Sequence, residues 1–274
     1  DNNQWVDWFD MASQTGTTTS YNLNTSYSND RMTSYFSLGY YDLEGLLKGD
    51  ELQRYSARAK FDFKANEYVK YGLNMYAMYS KNDKRSSRVW NRIICTPPLG
   101  TPYDEEGNLV DYPVGGDKSN INPLADMGDG RYVHNVKTLS VNPQMYVEIT
   151  PLKGLSFKSV LGGYFRNVKD SEYAGKHSFQ GLEKNDVKAT IPNTFTYNYK
   201  WQNILTYNFE INDDHAFTVT GVTEWSKDRR EKVTATGNGF DTDSYAYHNL
   251  GAATGTPIVS SEYVGSQKMS YVAR

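Results

Sequence analysis

Between Arg54 and Lys64 apolar and polar positions alternate without a break. Tyr55, Ala57, Ala59, Phe61 and Phe63 are apolar, and Ser56, Arg58, Lys60, Asp62 and Lys64 between them are polar or charged. A period of two puts the first set on one face of a β-strand and the second on the other. After Ala65-Asn-Glu-Tyr68 the alternation resumes, with Val69, Tyr71, Leu73, Met75, Ala77 and Tyr79 on one face. Two such runs with a short connection predict a β-hairpin. Both arms are longer than the mode of about 5–6 residues for globular strands. They match the roughly 9–11 residues that a tilted strand needs to cross a bilayer. The pattern therefore predicts an apolar face that meets lipid, not a protein core.

The rest of the chain repeats this arrangement. Strands are predicted over Thr17–Ser28, Arg31–Tyr41, Lys137–Thr150, Leu155–Phe165, Phe195–Ile211 and Ala216–Ser226, and Lys268–Arg274 reads as the start of a ninth. Pro143 falls inside a predicted strand and implies a bulge or an unpaired ladder position. Trp5 to Met11 reads as a short helical turn or amphipathic lead-in. Short turns at Asn29-Asp30, Ala65–Tyr68, Pro151–Gly154 and Asn212–His215 alternate with long connections over 42–53, 81–136, 167–194 and 227–267. Outer-membrane barrels sort their connections in this way, with short turns toward the periplasm and long loops outside. Tyr40, Tyr41, Tyr55, Tyr68, Tyr79 and Trp225 lie near strand ends and suit interfacial aromatic girdles. The fold class expected is an all-β antiparallel transmembrane β-barrel, present in part, with about eight complete meander strands.

Composition narrows the reading further. The 274 residues include 23 Tyr and carry a net charge of −3. That near-neutral balance leaves no basic footprint for nucleic acid. No stretch is long and apolar enough for a transmembrane helix, a test to which a β-barrel is invisible. Cys95 is the single cysteine, so no disulfide forms within the chain; a buried or tolerated thiol is expected there. The sequence starts at Asp1 without a leader and stops in a strand-like run, so it reads as cropped at both ends.

Several phrases then resemble one family. Thr33-Ser-Tyr-Phe-Ser-Leu-Gly-Tyr-Tyr41, Asp42-Leu-Glu-Gly45, Lys48-Gly-Asp50 and Arg54-Tyr-Ser-Ala-Arg58 resemble the early barrel of SusC/RagA-type TonB-dependent transporters. Asp7-Trp-Phe-Asp10 resembles the segment leaving their plug domain. Leu152-Lys-Gly-Leu-Ser-Phe157 and Met269-Ser-Tyr-Val-Ala-Arg274 resemble later strand entries. The resemblance implies a lead-in from a plug over 1–16 and a partial barrel over 17–274. It implies a barrel of about 22 strands with a plugged lumen. It also implies residence in the outer membrane of Bacteroidetes-type bacteria, and import of oligosaccharides or peptides. The implied partners are TonB, acting through a plug outside these residues, and a SusD-like surface lipoprotein.

No catalytic constellation is present: His134, His177, His215 and His248 are scattered, with no H-E-x-x-H, nucleophile elbow or P-loop. No enzyme activity and no cofactor are expected. Trp90, Tyr103, Tyr112 and Tyr132 lie in or beside the longest connection, where aromatic faces would stack on sugar or contact peptide, or would pack the loop. Asp104, Glu105 and Asn108 offer oxygens for a cation, without EF-hand spacing; the alternative is a polar turn. Arg58, Lys60, Asp62 and Lys64 are expected to line the lumen, contacting a plug, each other or substrate. Two rival readings remain. A self-contained small barrel would close strand one onto strand eight and leave the ninth unpaired. A secreted all-β carbohydrate-binding module would hide its apolar faces inside.

Overall fold

The computed structural model describes residues 5–115, 117–211 and 215–274. Among these residues the architecture is one antiparallel meander of nine strands, each pairing with its neighbours in sequence. The strands are β1 (Thr17–Ser28), β2 (Met32–Glu44), β3 (Glu51–Lys64), β4 (Val69–Lys84), β5 (Tyr132–Leu152), β6 (Leu155–Ala174), β7 (Lys188–Ile211), β8 (His215–Asn238) and β9 (Ile258–Ala273). The expected hairpin is present, with Phe61 opposite Leu73 and Tyr55 opposite Tyr79.

The short turns are built by side chains that replace a backbone turn. Asn29 Oδ1 accepts from the amides of Arg31 and Met32 at 2.9 and 2.7 Å. Asn66 Oδ1 does the same for Tyr68 and Val69, both at 2.9 Å. Gly154 closes the β5–β6 turn with φ +84°, a left-handed conformation in which a Cβ would also strike the Asn208 carbonyl. The Asn212-Asp-Asp214 turn lies outside the described residues.

Two expectations are corrected. β9 pairs with β8 from Ile258 to Ala273, and β1 and β9 form the two ends of the strand order. The sheet is open, so the self-contained eight-strand barrel does not form. The apolar face is not sequestered either: Leu73, Met145, Leu161, Trp201 and Met269 are all exposed. A secreted module needs that face inside. Several strands also run well beyond their predicted ends. β6 continues from Phe165 to Ala174, β7 starts at Lys188, and β8 reaches Asn238. The connections are correspondingly shorter, at 85–131, 175–187 and 239–257.

Pro143 stays in register with Met75 of β4, whereas the β5–β6 register skips from Val141–Phe165 to Gln144–Gly162. The proline sits where the β6 ladder has a gap, as its missing N–H requires.

The register aligns the apolar sets of all nine strands on one face. One row runs Thr25, Phe36, Ala59, Met75, Pro143; the next runs Leu23, Leu38, Ala57, Ala77, Val141, Phe165, Tyr197. An exposed apolar area of this extent far exceeds what a monomer keeps in water. The buried cores are small and sit at the long-loop end. One gathers Trp8, Ala12, Val89, Ile93, Leu124 and Phe179. The other gathers Tyr173, Ala189 and Tyr247.

Candidate functional site

The rim at the long-loop end is built from three short helices packed on one another: α1 (Trp8–Ala12), α2 (Arg88–Cys95) and α3 (Phe179–Lys184). Asp7 caps α1 by accepting from the Asp10 amide, and Ser178 caps α3 by accepting from Gly181. In α2, Val89 and Ile93 lie four apart and face the first core, as does Phe179 from α3. Trp8 donates its indole N–H to the Pro97 carbonyl at 2.9 Å. Residues 5–16 thereby join the rim and not the short-turn end of the sheet.

Ion pairs tie connections 85–131 and 175–187 together. Glu183 of α3 accepts from both Arg88 and Arg92 of α2. Asp111 takes Arg131 at 2.9 Å and His177 at 2.8 Å, linking connection 85–131 to connection 175–187. Asp126 is buried with one carboxylate oxygen 2.8 Å from the Phe179 amide, which donates to it. Burial pushes its carboxyl above the usual range, and the bonds from Phe179 and Ser86 and the nearby Arg88 oppose that rise.

Two polar cavities open in this rim. The first, of about 360 Å³, has Lys84, Arg85 and Arg88 on its walls together with Asp126, His134 and Glu172. Tyr132 closes it, donating its hydroxyl to Glu172 at 2.8 Å, and His134 pairs with Asp170 at 2.8 Å. The second, of about 510 Å³, includes Lys48, Tyr103, Asn108, Asp129 and Arg131. Arg85 belongs to both cavities, and its guanidinium donates to the Lys48 carbonyl at 2.9 Å.

The sequence-derived candidates separate in this setting. Trp90 packs on Phe9, with ring centroids 5.9 Å apart, and Tyr112 packs against the same core. Tyr132 is buried as a cavity wall. Tyr103 is the exposed member of the four and reaches the second cavity. Asp104 forms a polar turn. Its Oδ1 accepts from the amides of Glu106 and Asn108 at 3.0 and 2.7 Å. The Asn108 amide, first among these donors, holds the carboxyl below the usual range. Among the described residues no group of three His, Cys, Asp or Glu side chains is arranged to hold a metal ion. Cys95 ends α2 exposed, which sets aside the buried reading and leaves that of a tolerated thiol.

The face opposite the apolar one carries a paired set. Lys60 meets Asp62 at 2.9 Å, and Asp62 accepts the Tyr146 hydroxyl at 2.8 Å. Lys158 lies 4.3 Å from the centre of the Tyr146 ring and 3.5 Å from Glu148. Arg58 stacks over Tyr76 at 5.4 Å. Pairing within the sheet accounts for Arg58, Lys60 and Asp62. Asp126, His134, Glu172, Arg85 and Asp111 escaped the sequence reading, because they lie far apart in the chain and meet only through the loop fold.

No family model matches the chain. TonB-dependent receptor P26 of Formosa agariphila is 26% identical over 277 aligned positions, covering 98% of this chain and 27% of the relative. TonB-dependent receptor P39 of the same organism is 26% identical over 226 positions, covering 82% of the chain and 21% of the relative. Among solved structures, the RagAB peptide importer in its 'closed-closed' state superposes over 100% of this chain with a TM-score of 0.81 and 20% identity. The RagAB peptide transporter does so over 98% with the same score. This chain spans about a quarter of the curated relatives' length and about a third of those solved chains. With a lipid-type apolar face, sorted connections, and whole-length likeness in sequence to TonB-dependent receptors and in fold to part of the RagAB importer, the chain is a run of wall strands from an outer-membrane β-barrel similar to the TonB-dependent receptors.

Proposed function

We propose that this chain forms part of the wall and outer rim of a TonB-dependent importer that takes up peptides or oligosaccharides. The observation that carries this is the division of the sheet into an apolar face and a polar, internally paired face, with a folded loop rim at one end. In such a barrel the polar face, with Arg58, Lys60, Asp62 and Lys64, lines the lumen and meets a plug. The rim takes the first contact with the nutrient. Its two cavities carry cationic and anionic groups within one space, which favours a peptide with charged ends over a neutral glycan. The likeness to a peptide importer supports the same choice.

TonB, acting through a plug outside these residues, and a SusD-like surface lipoprotein over the rim are the proposed partners. Residues 5–16 pack into the rim in this reading. The reading includes no enzymatic step. Uptake of a labelled peptide pool and a labelled oligosaccharide pool by cells carrying the intact protein tests it. Peptide uptake that stops when TonB is disabled is expected. Uptake that persists without TonB, or no uptake of either pool, contradicts it.

A further inference from the structure

Lys81, Lys137 and Lys169 stand directly opposite one another on three adjacent strands: the register pairs Lys81 with Lys137, and Lys137 with Lys169. Opposed residues on one face have Cβ atoms about 4.5–5.5 Å apart, and like charges so placed repel. Lys81 has its own counter-ion, Asp83, at 2.5 Å. Lys137 and Lys169 are exposed, and among the described residues no carboxylate lies within 4.0 Å of either. A sheet that holds two uncompensated lysines side by side calls for an anion from elsewhere.

Their position says which anion is available. The three lysines share a face with Tyr79 and Leu139, one register step beyond them. The row they follow is aromatic across four strands: Tyr21, Tyr40, Tyr55 and Tyr79. That row has the character of an interfacial girdle. The lysines therefore sit at headgroup level on the lipid side, toward the long loops. The 239–257 connection folds over the same face two steps further out, where Asp243 accepts the Tyr173 hydroxyl at 2.6 Å. That leaves Lys137 and Lys169 open beneath it.

We propose that Lys137 and Lys169, with Lys81 beside them, bind the phosphate of a lipid headgroup in the outer leaflet of the outer membrane. The apolar row below seats the acyl chains, and the ammonium groups replace the missing counter-ions. The inference rests on the apolar face meeting lipid. Were that wrong, the intact protein would not partition into vesicles at all, an outcome separate from those below.

The test uses the intact protein in dodecylmaltoside micelles, titrated with lipid A and separately with phosphatidylcholine, with bound lipid counted by native mass spectrometry. Lipid A is expected to bind and phosphatidylcholine not to bind. K137Q/K169Q should weaken lipid A binding roughly 25-fold, at about fivefold per lysine near a charged surface. K169Q alone should weaken it about fivefold, K137R/K169R should keep it, and K153Q at the short-turn end should change nothing. The single variant and the arginine pair keep the test decisive if the double glutamine variant does not fold. Equal binding of both lipids, or full binding by K169Q, overturns the proposal. Displacement of lipid A by millimolar inorganic phosphate also overturns it, in favour of a free-anion site.

Discussion

Tyr146 of β5 reaches across β4 to donate its hydroxyl to Asp62 of β3 at 2.8 Å, passing over Gly72, the residue between them in register. The path exists because Gly72 has no side chain. A Cβ there would overlap the Tyr146 ring and sit 2.8 Å from Asp62 Oδ1 and the Phe61 carbonyl. G72A is expected to destabilise the folded barrel by about 1–3 kcal/mol, the usual cost of overpacking. Y146F should cost a similar amount, because Asp62 loses a donor to a charged group. Urea unfolding of the vesicle-inserted protein measures both, and G72A/Y146F should cost less than the sum of the two singles.

The two faces of the sheet should respond oppositely to charge. M145R places a cation on the apolar face, between Leu73 and Leu161 in register. A cost of about 2–4 kcal/mol is expected if that position lies near the bilayer midplane. Q144R, one residue away on the polar face, should cost much less. Folding yields into vesicles compare them.

The rim is held by its own core and should open separately from the wall. Phe179 is fully buried among Val89, Ile93 and Leu124. F179A is expected to destabilise the rim by about 3–5 kcal/mol, as large-to-small core changes do. Hydrogen exchange should rise across 88–95 and 179–184 while the amides of β5 and β6 near Met145 and Leu161 stay protected.

Asp126 gives the rim a pH dependence of known sign. Its carboxyl is raised in the fold by burial, so the folded state holds the proton more tightly than the unfolded one. Its contribution is therefore complete below the ordinary carboxylate range and is lost as pH rises through the raised value. D126N keeps an acceptor for the Phe179 amide and removes the charge. The Phe179 amide should exchange more slowly in D126N than in the parent at pH 7, and the difference should shrink as the pH falls. Asp104 works in the opposite sense. Its lowered carboxyl stabilises its turn above the ordinary range, a contribution lost on acidification. The D126N difference isolates the first effect.

The membrane-crossing part of the wall was legible because lipid on one side and water on the other force a strict period of two. Tyr55 to Phe63 and Val69 to Tyr79 carry that signal almost unaltered, and Asn29 and Asn66 announce their turns. Above the apolar belt the constraint lapses. From Asn167 to Ala174 in β6 and from Lys227 to Asn238 in β8 the faces meet water or packed loops, so the strands continue on backbone pairing and loop packing such as that of Tyr173, with no lipid-imposed alternation. Helix α2 hid for another reason: with eight residues, it stands only because Val89 and Ile93 have a core to enter. The rim cavities join residues more than 80 positions apart, such as Lys84 and Glu172, and no local pattern brings such pairs together. Aromatic character singled out Trp90 and Tyr112, which serve packing instead.

The central claim is that neighbouring residues of one strand face lipid and water in turn. Gln144 and Met145 of β5 are both exposed and point to opposite sides. With Cys95 replaced by serine, Q144C and M145C can each carry a spin label in the intact protein, reconstituted into vesicles. Collision with oxygen, which concentrates in lipid, and with a water-soluble nickel chelate reports the surroundings of each label. The account predicts high oxygen and low nickel accessibility at 145, and the reverse at 144. Equal nickel accessibility at both positions would contradict it.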